Sequence, residues 1–215
     1  MSHPSTLFLP RSKESLRITR RYDLISRIYD LLQFPLEALF FNQFRRMLFS
    51  QIEAKRILEI GVGTGRNFKF YPPYDSERFA IDFNDSMLTL ARSRAKKKNL
   101  RVKLLLMDLE ELDFVDAYFD GIVGTFIFCT VANPVRCLKE VRRVLKPDGK
   151  LYLLEHLRPD VKILGKLFDW ISPLVRWIGP NLNRKTVENL KEAGFKVEKV
   201  QNLLFGIYWH LIAGP

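Results

Sequence analysis

Cysteine is scarce in this sequence of 215 residues, which carries only Cys129 and Cys137. Two thiols exclude a disulfide framework and point to a reducing intracellular compartment, with each reading as a small buried apolar side chain. Histidine is almost as rare, at three residues, and no metal site is expected. Also missing is any run of about 20 consecutive apolar residues, the length a membrane-spanning helix needs. The opening MSHPSTLFLPRSKESLRITRR lacks the unbroken apolar stretch of a signal peptide. A cytoplasmic protein, soluble or peripheral to a membrane, is the expectation. There is no internal repeat and no low-complexity tract.

Acidic residues are in deficit. Asp and Glu number 24 against 35 Lys and Arg, a formal charge of +11, which favours anionic surfaces such as phospholipid headgroups or nucleic acid without saying anything about fold. Arg11, Lys13, Arg17, Arg20 and Arg21 face only Glu14 in the first stretch. That arm reads either as a solvated, partly disordered tail or as an electrostatic foot on an anionic membrane.

Apolar residues, by contrast, make up 47% of the chain, enough for one packed domain. Residues 1–52 read as the basic arm followed, from about Leu16, by helices that Pro35 divides. Tyr22, Tyr29, Phe34, Phe40, Phe41, Phe44 and Phe49 exceed what a docking face requires, so some are expected to line a pocket and cap the site. From residue 53 onward strand and helix alternate. RILEI, RFAID, RVKLLLMD, FDGIVGTFIF and GKLYLLEHL each hold a strand, while SMLTLARSRAKKK and VRCLKEVRRVLK place apolar residues at helical spacing and end in basic residues. LysProAspGly at 146–149 reads as a helix stop and turn. An apolar, Trp-bearing insertion at about 158–181 interrupts the rhythm. A helix in NRKTVENLKEAG follows, then two strands close enough to pair as an antiparallel hairpin. The expected architecture is α/β and Rossmann-like: a largely parallel seven-stranded sheet, helices on both faces, ending in that hairpin.

The most informative stretch is ILEIGVGTGRNFKFYPP, where Gly61, Gly63 and Gly65 stand at the exit of the first strand. Without Cβ atoms the backbone can approach a ligand and turn its amides toward it. The dinucleotide fingerprint wants glycines at the first, third and sixth positions, and here the sixth is Arg66. A ligand without a pyrophosphate fits better. Glu59, just before the loop, would repel a diphosphate but could orient the amino end of an amino-acid moiety. Asp82, 21 residues after Gly61, stands where a ribose would offer its hydroxyls, with Phe83 beside it either against a base or in the core. Asp108 ends the third strand and suits an adenine amine, with Leu109 supplying an amide; the same acid could equally cap a helix.

Glu59 to Gly65, Asp82, Asp108, LysProAspGly and the closing hairpin together resemble the class I S-adenosylmethionine-dependent methyltransferase superfamily across roughly residues 20–215. YDLISRIYD is similar to the quinone-biosynthesis and bacterial phospholipid N-methyltransferases. A closer likeness lies with the mammalian methyltransferase-like proteins that methylate alkyl thiols, carried in order by GTGRNFKFYPP, CTVANPVRCLKEVRRVLKPDGKLYLLEH and PNLNRKTVENLKEAGF. At its front the sequence departs from them, with the basic, aromatic region standing where they carry a hydrophobic anchor. The resemblance implies S-adenosylmethionine as donor, S-adenosylhomocysteine as product, and donor contacts from Glu59, Gly61, Gly63, Gly65, Asp82, Asp108, Thr125 and Phe126.

A sulfonium is already an activated methyl donor, so the protein need only align a nucleophile and exclude water. A thiol ionises partly near neutral pH, whereas an amine or phenol needs a proton acceptor. Glu155 and His156, at the end of the fifth strand, and Tyr29 near the front are the candidates to face the acceptor. A structural hydrogen bond for His156 and an arginine partner for Glu155 are the plain alternatives. The acceptor is expected to be small and apolar: a thiol, a quinone precursor or a lipid amine. Peripheral contact with an anionic membrane is expected as well. Three rival readings remain, of which a nicotinamide oxidoreductase is disfavoured by Arg66. A nucleic-acid methyltransferase would suit the charge, but ThrPheIlePheCysThr follows the fourth strand where an Asn or Asp before ProProTyr would stand. A donor-binding scaffold without catalysis would retain the same fold.

Overall fold

The computed structural model describes residues 40–72, 75–156, 184–204 and 206–215. The basic arm, Tyr29, most of the aromatic helical region and the insertion at 158–181 lie outside the described residues.

Seven strands form one sheet: β1 (Arg56–Ile60), β2 (Glu77–Asp82), β3 (Lys103–Leu106), β4 (Phe119–Thr125), β5 (Leu145–His156), β6 (Lys196–Leu204) and β7 (Tyr208–Gly214). Their order is β3-β2-β1-β4-β5-β7-β6. The first five are parallel, and β7 runs antiparallel between β5 and β6. This is the hairpin-ended α/β sheet expected from the sequence, and β1 and β4 hold the centre because helical crossovers must cover both faces. β1 shows it directly: its last four residues are buried. Leu58 and Ile60 pack toward one face, with Phe79, Ile81 and Ile122, and Ile57 packs toward the other, with Val123 and Tyr152.

Helix α1 (Asn42–Phe49) covers that second face. Phe41, Phe44 and Leu48 recur at helical spacing and are buried, each such side chain contributing about 1.5–3 kcal/mol. On the same face, α2 (Asp85–Lys97) sets Leu88, Ala91 and Ala95 on Ala80 of β2. On the opposite face, α3 (Pro134–Val144) packs Cys137, Leu138, Val141 and Val144, joined by Leu190 of α4 (Thr186–Glu192). The boundaries follow local chemistry. Asn84 accepts from the amide of Met87 (2.8 Å) and Asn133 from that of Arg136 (3.0 Å), which satisfies amides at each helix start. Pro134 sits in the first turn of α3, where no amide donor is needed.

Residues 146–149 are more interesting than a plain turn. The β4–β5 register jumps from Phe119 opposite Leu145 to Gly121 opposite Lys150, so LysProAspGly is spliced into the start of β5 as an irregularity. Of more consequence for function, the chain leaves β1 toward β2 and leaves β4 toward β5, so the crossovers diverge. A crevice opens where they part, at the carboxyl ends of β1 and β4. Among the described residues no helix is long and apolar enough to cross a membrane.

Candidate active site

Everything at this crevice begins with the turn after Ile60. Gly61 and Gly65 have φ of +65° and +78°, a region that costs an L side chain energy. Space closes the case for both. A Cβ on Gly61 would stand 2.4 Å from Ile127 Cδ1, and one on Gly65 would stand 2.4 Å from the ring of Phe68. A Cβ on Gly63 would meet nothing within 4 Å, so this residue faces open space. The loop then enters a 3-10 helix, Arg66–Phe70, and not the longer α-helix of a dinucleotide fold.

Asp82 holds the loop in place. One carboxylate oxygen accepts from the amide of Gly63 at 2.8 Å and the other from that of Asn84 at 3.0 Å. Burial pushes its pKa up to about 6 against those backbone bonds, so it stays largely ionised at neutral pH. Gly61, Asp82, Phe83, Ile127 and Thr130 line both halves of one cleft. The first half adds Gly63, Arg45, Arg66, Asn67, Thr125 and Phe126. The second adds Met107, Asp108, Leu109 and Glu110. Asp108 serves in two ways, since it lines the cleft and accepts from the amide of Glu110 at 2.9 Å.

Glu59 lies one layer deeper. Its carboxylate is buried, accepts from Asn67 Nδ2 at 2.7 Å and accepts a short bond from the Tyr71 hydroxyl. Burial pushes its pKa up to about 7, opposed by those two bonds and by the charge of Arg45. It thus acts on the cleft through Asn67, which also bonds Thr125 Oγ1 at 3.1 Å. Arg45 of α1 completes the network, donating from Nη1 to Asn67 Oδ1 (2.5 Å) and to Thr125 Oγ1 (2.7 Å). Sequence reasoning missed Arg45 and Asn67. The readable signal was Arg45's place one residue after Phe44 and three before Leu48, on the core-facing stripe of an aromatic helix.

Beyond β4, Phe126 takes φ of +58° and the chain folds into the loop that roofs both halves of the cleft. Glu155 anchors this loop from beneath. Fully buried, it accepts the amides of Ile127 and Phe128, both at 3.1 Å. Burial pushes it up to about 8, although the two amides and the charge of Arg184 pull the other way. Arg184 in turn donates to the Val131 carbonyl at 2.6 Å. Glu155 therefore grips backbone and does not line the cleft. His156 points to the α1 face, edge-on to Tyr208 at 5.3 Å, and burial lowers its pKa to about 4, so it is neutral at physiological pH. Next to it Phe41, Phe126 and Tyr208 form an aromatic wall with centroids 5.0–6.0 Å apart. Phe126 belongs both to this wall and to the cleft.

Asp108 and Leu109 line one half of the cleft, Asn67, Thr125 and Arg45 line the other, and Asp82 lines both. The one thiol among the described lining residues, Cys137, is pushed far up by burial and stays protonated. Among the described residues no cluster of three or more His, Cys, Asp or Glu could hold a metal ion.

Residues 58–153 match a family model described as a methyltransferase domain. The chain is 31% identical to the human thiol S-methyltransferase TMT1B, covering 80% of this chain and 75% of that protein. It is 38% identical to the ubiquinone/menaquinone biosynthesis C-methyltransferase UbiE of Bordetella avium over 58% of this chain and 50% of that one. Across such curated relatives the chain spans from half to three quarters of their length. In fold it matches a SAM-dependent methyltransferase structure from Thermotoga maritima with a TM-score of 0.72, 21% identity, and coverage of 92% of this chain and 99% of that one.

Proposed function

Because the chain belongs to the S-adenosylmethionine-dependent methyltransferases, we propose that it methylates a small lipophilic acceptor, with an alkyl or aryl thiol as the class its site suits best. The donor fits the residues present. Gly63 leaves its side of the turn open, and acids stand at the tips of β2 and β3 for the sugar and base. When bound, the donor supplies a methyl group already activated by its sulfonium. The protein's own share is to hold, orient and dry: Asp82 fixes the glycine turn, Glu155 fixes the roof loop, and Phe126 carries the wall from donor to acceptor side.

One observation carries the choice of acceptor. The aromatic wall of Phe41, Phe126 and Tyr208 adjoins the donor half of the cleft through Phe126, and the buried carboxylates near the cleft hold protein donors. Asp82 serves Gly63 and Asn84 and Glu59 serves Asn67 and Tyr71, while Glu155 holds the roof loop through Oε1 and its Oε2, buried without a hydrogen-bond partner among the described residues, does not line the cleft. His156 is neutral but its pKa of about 4 makes it a weak base. An acceptor that must lose a proton to a side chain is poorly served. A thiol, with an ordinary pKa near 8.5, reaches its reactive thiolate with little help, and an apolar ring or chain would pack on the wall.

A panel of thiols, quinols, phospholipid amines and RNA offered with methyl-labelled donor tests the proposal. Label entering apolar thiols ahead of the other classes is expected. Preferential labelling of an amine, a quinol or RNA would move the acceptor to that class, and donor binding without any transfer would leave a scaffold.

A further inference from the structure

The roof loop rests on a buried carboxyl that is only half used. Glu155 is fully buried, its Oε1 accepts the amides of Ile127 and Phe128 at 3.1 Å each, and its Oε2 has no hydrogen-bond partner among the described residues. A buried oxygen left unpaired is costly. An apolar residue would avoid that cost but could not hold two amides. The loop above is a small unit of its own. The Ile127 carbonyl accepts from the Thr130 amide at 3.0 Å and from its hydroxyl at 2.8 Å, so residues 127–130 form one turn. Phe126, just before it, takes φ of +58°, which costs an L side chain energy. The turn therefore keeps its place through ties from outside itself. The Leu154 carbonyl accepts from the Phe126 amide at 2.8 Å, Glu155 holds the next two amides, and Arg184, ahead of α4, donates to the Val131 carbonyl at 2.6 Å.

Ile127 links this anchor to the cleft. Its side chain lies where Gly61 and Gly124 have no Cβ: an added Cβ would stand 2.4 Å from Cδ1 at the first and 3.0 Å from Cγ2 at the second. It also lines both halves of the cleft. A shift of the Ile127 backbone thus moves a side chain packed on the glycine turn and changes the space across both halves. How firmly that backbone is held depends on a proton, because an ionised carboxylate binds amides about twice as strongly as a neutral carboxyl. Burial raises the Glu155 pKa to about 8, opposed by the two amides and the charge of Arg184, so carboxyl and carboxylate exchange near physiological pH. Among the described residues, Arg184 and the Cys129 thiol of the loop are the charged or titratable groups that act on it. Burial keeps Cys129 protonated, which leaves Arg184 as the charge it feels, and its neighbour across on β7 is Trp209.

We propose that Glu155 is a positioning residue for the donor: it holds the roof loop against the glycine turn through Ile127, and holds it more firmly when ionised. The proposal rests on the donor occupying this cleft, as the proposed function holds. Glu155 does not meet the donor, since it lines neither half of the cleft. As pH rises, its proton leaves to solvent, both amides are bound more tightly, and the turn is fixed over the cleft. The same ionisation buries a charge and lowers the stability of the whole fold, so firmer donor binding and lower stability accompany each other.

Calorimetric titration with S-adenosylhomocysteine from about pH 6.5 to about pH 9 compares wild type with Glu155→Gln, which keeps an acceptor oxygen and cannot ionise. Asp82 and Glu59 titrate as well, but in both proteins, so their effect cancels in the ratio of the two affinities. That ratio is expected to be close to unity at the acid end. Toward the basic end it should grow in favour of wild type by about five- to tenfold, the difference between a charged and a neutral hydrogen bond. A ratio that stays constant with pH would overturn the proposal, since a purely structural side chain gives the same loss throughout. If Glu155→Gln fails to fold, Arg184→Gln decides. Removing the charge that holds the Glu155 pKa down should move the rise in S-adenosylhomocysteine affinity to higher pH, and an unmoved midpoint would overturn the proposal. Wild-type protein that binds no S-adenosylhomocysteine at any pH would remove the donor reading and this proposal together, whereas binding with a constant ratio removes this proposal alone.

Discussion

Asp82 shows how one side chain prepares a site before any ligand arrives. Its two oxygens already hold the amides of Gly63 and Asn84, so the turn is shaped by the same carboxylate that would meet a ribose. Replacing it with Ala removes charged hydrogen bonds and should weaken binding of S-adenosylhomocysteine by about 1–3 kcal/mol. Calorimetry reads this directly, and unchanged affinity would place the sugar elsewhere. Residues of this kind were legible in the sequence because position relative to a strand end announces them. Gly61, Gly63, Gly65, Asp82 and Asp108 all fall at such ends. Arg45 was not legible, since a cation among aromatic residues on a helix reads as one that reaches to solvent along its apolar stem. Nor was the task of Glu59, whose partners Asn67 and Tyr71 lie beyond the glycine turn and meet it only once the 3-10 helix folds back.

Elements carry the next level of control. The loop after β4 roofs both halves of the cleft, and it is anchored by Glu155 rather than by its own short sequence. Strand position alone marked Glu155 and His156 as candidates to face the acceptor, but alternation along β5 turns Glu155 beneath the loop, while His156 goes to the α1 face. A pH signature follows. Glu155, Glu59 and Asp82 have pKa values raised to about 8, 7 and 6. The folded state therefore binds more protons than the unfolded chain from about pH 4 upward, and stability falls as pH rises through each folded pKa. His156 and His210, both lowered to about 4, act oppositely, but only between about pH 4 and 6.5. The ligand-free protein should thus lose stability to urea from about pH 6.5 to 8.5. Glu155→Gln, which keeps an acceptor for the loop amides and cannot ionise, should flatten the upper part of that decline. A slope identical to wild type would mean that Glu155 does not titrate in that window.

At the scale of the whole molecule, the strand order concentrates these parts at one place. Reversal between β1 and β4 opens the crevice, and the strands' carboxyl ends bring together residues far apart in the chain, from Gly61 to Phe126. The alternation of strands and helices made this sheet legible from sequence, because buried parallel strands are short apolar runs and the helices between them carry their own caps. The packing of α1 on the sheet was legible only as an excess of aromatic residues, since tertiary contact determines which of them meet. The central claim is that this crevice holds S-adenosylmethionine with its base, sugar and amino-acid end spread across three sets of side chains. A crystal structure with S-adenosylhomocysteine tests it most directly. The ribose should lie within hydrogen-bond distance of Asp82, the adenine beside Asp108 and Leu109, and the amino-acid end in the half of the cleft lined by Asn67 and Thr125. A nucleoside bound in another cleft, or lying reversed with its base against Arg45, would contradict it.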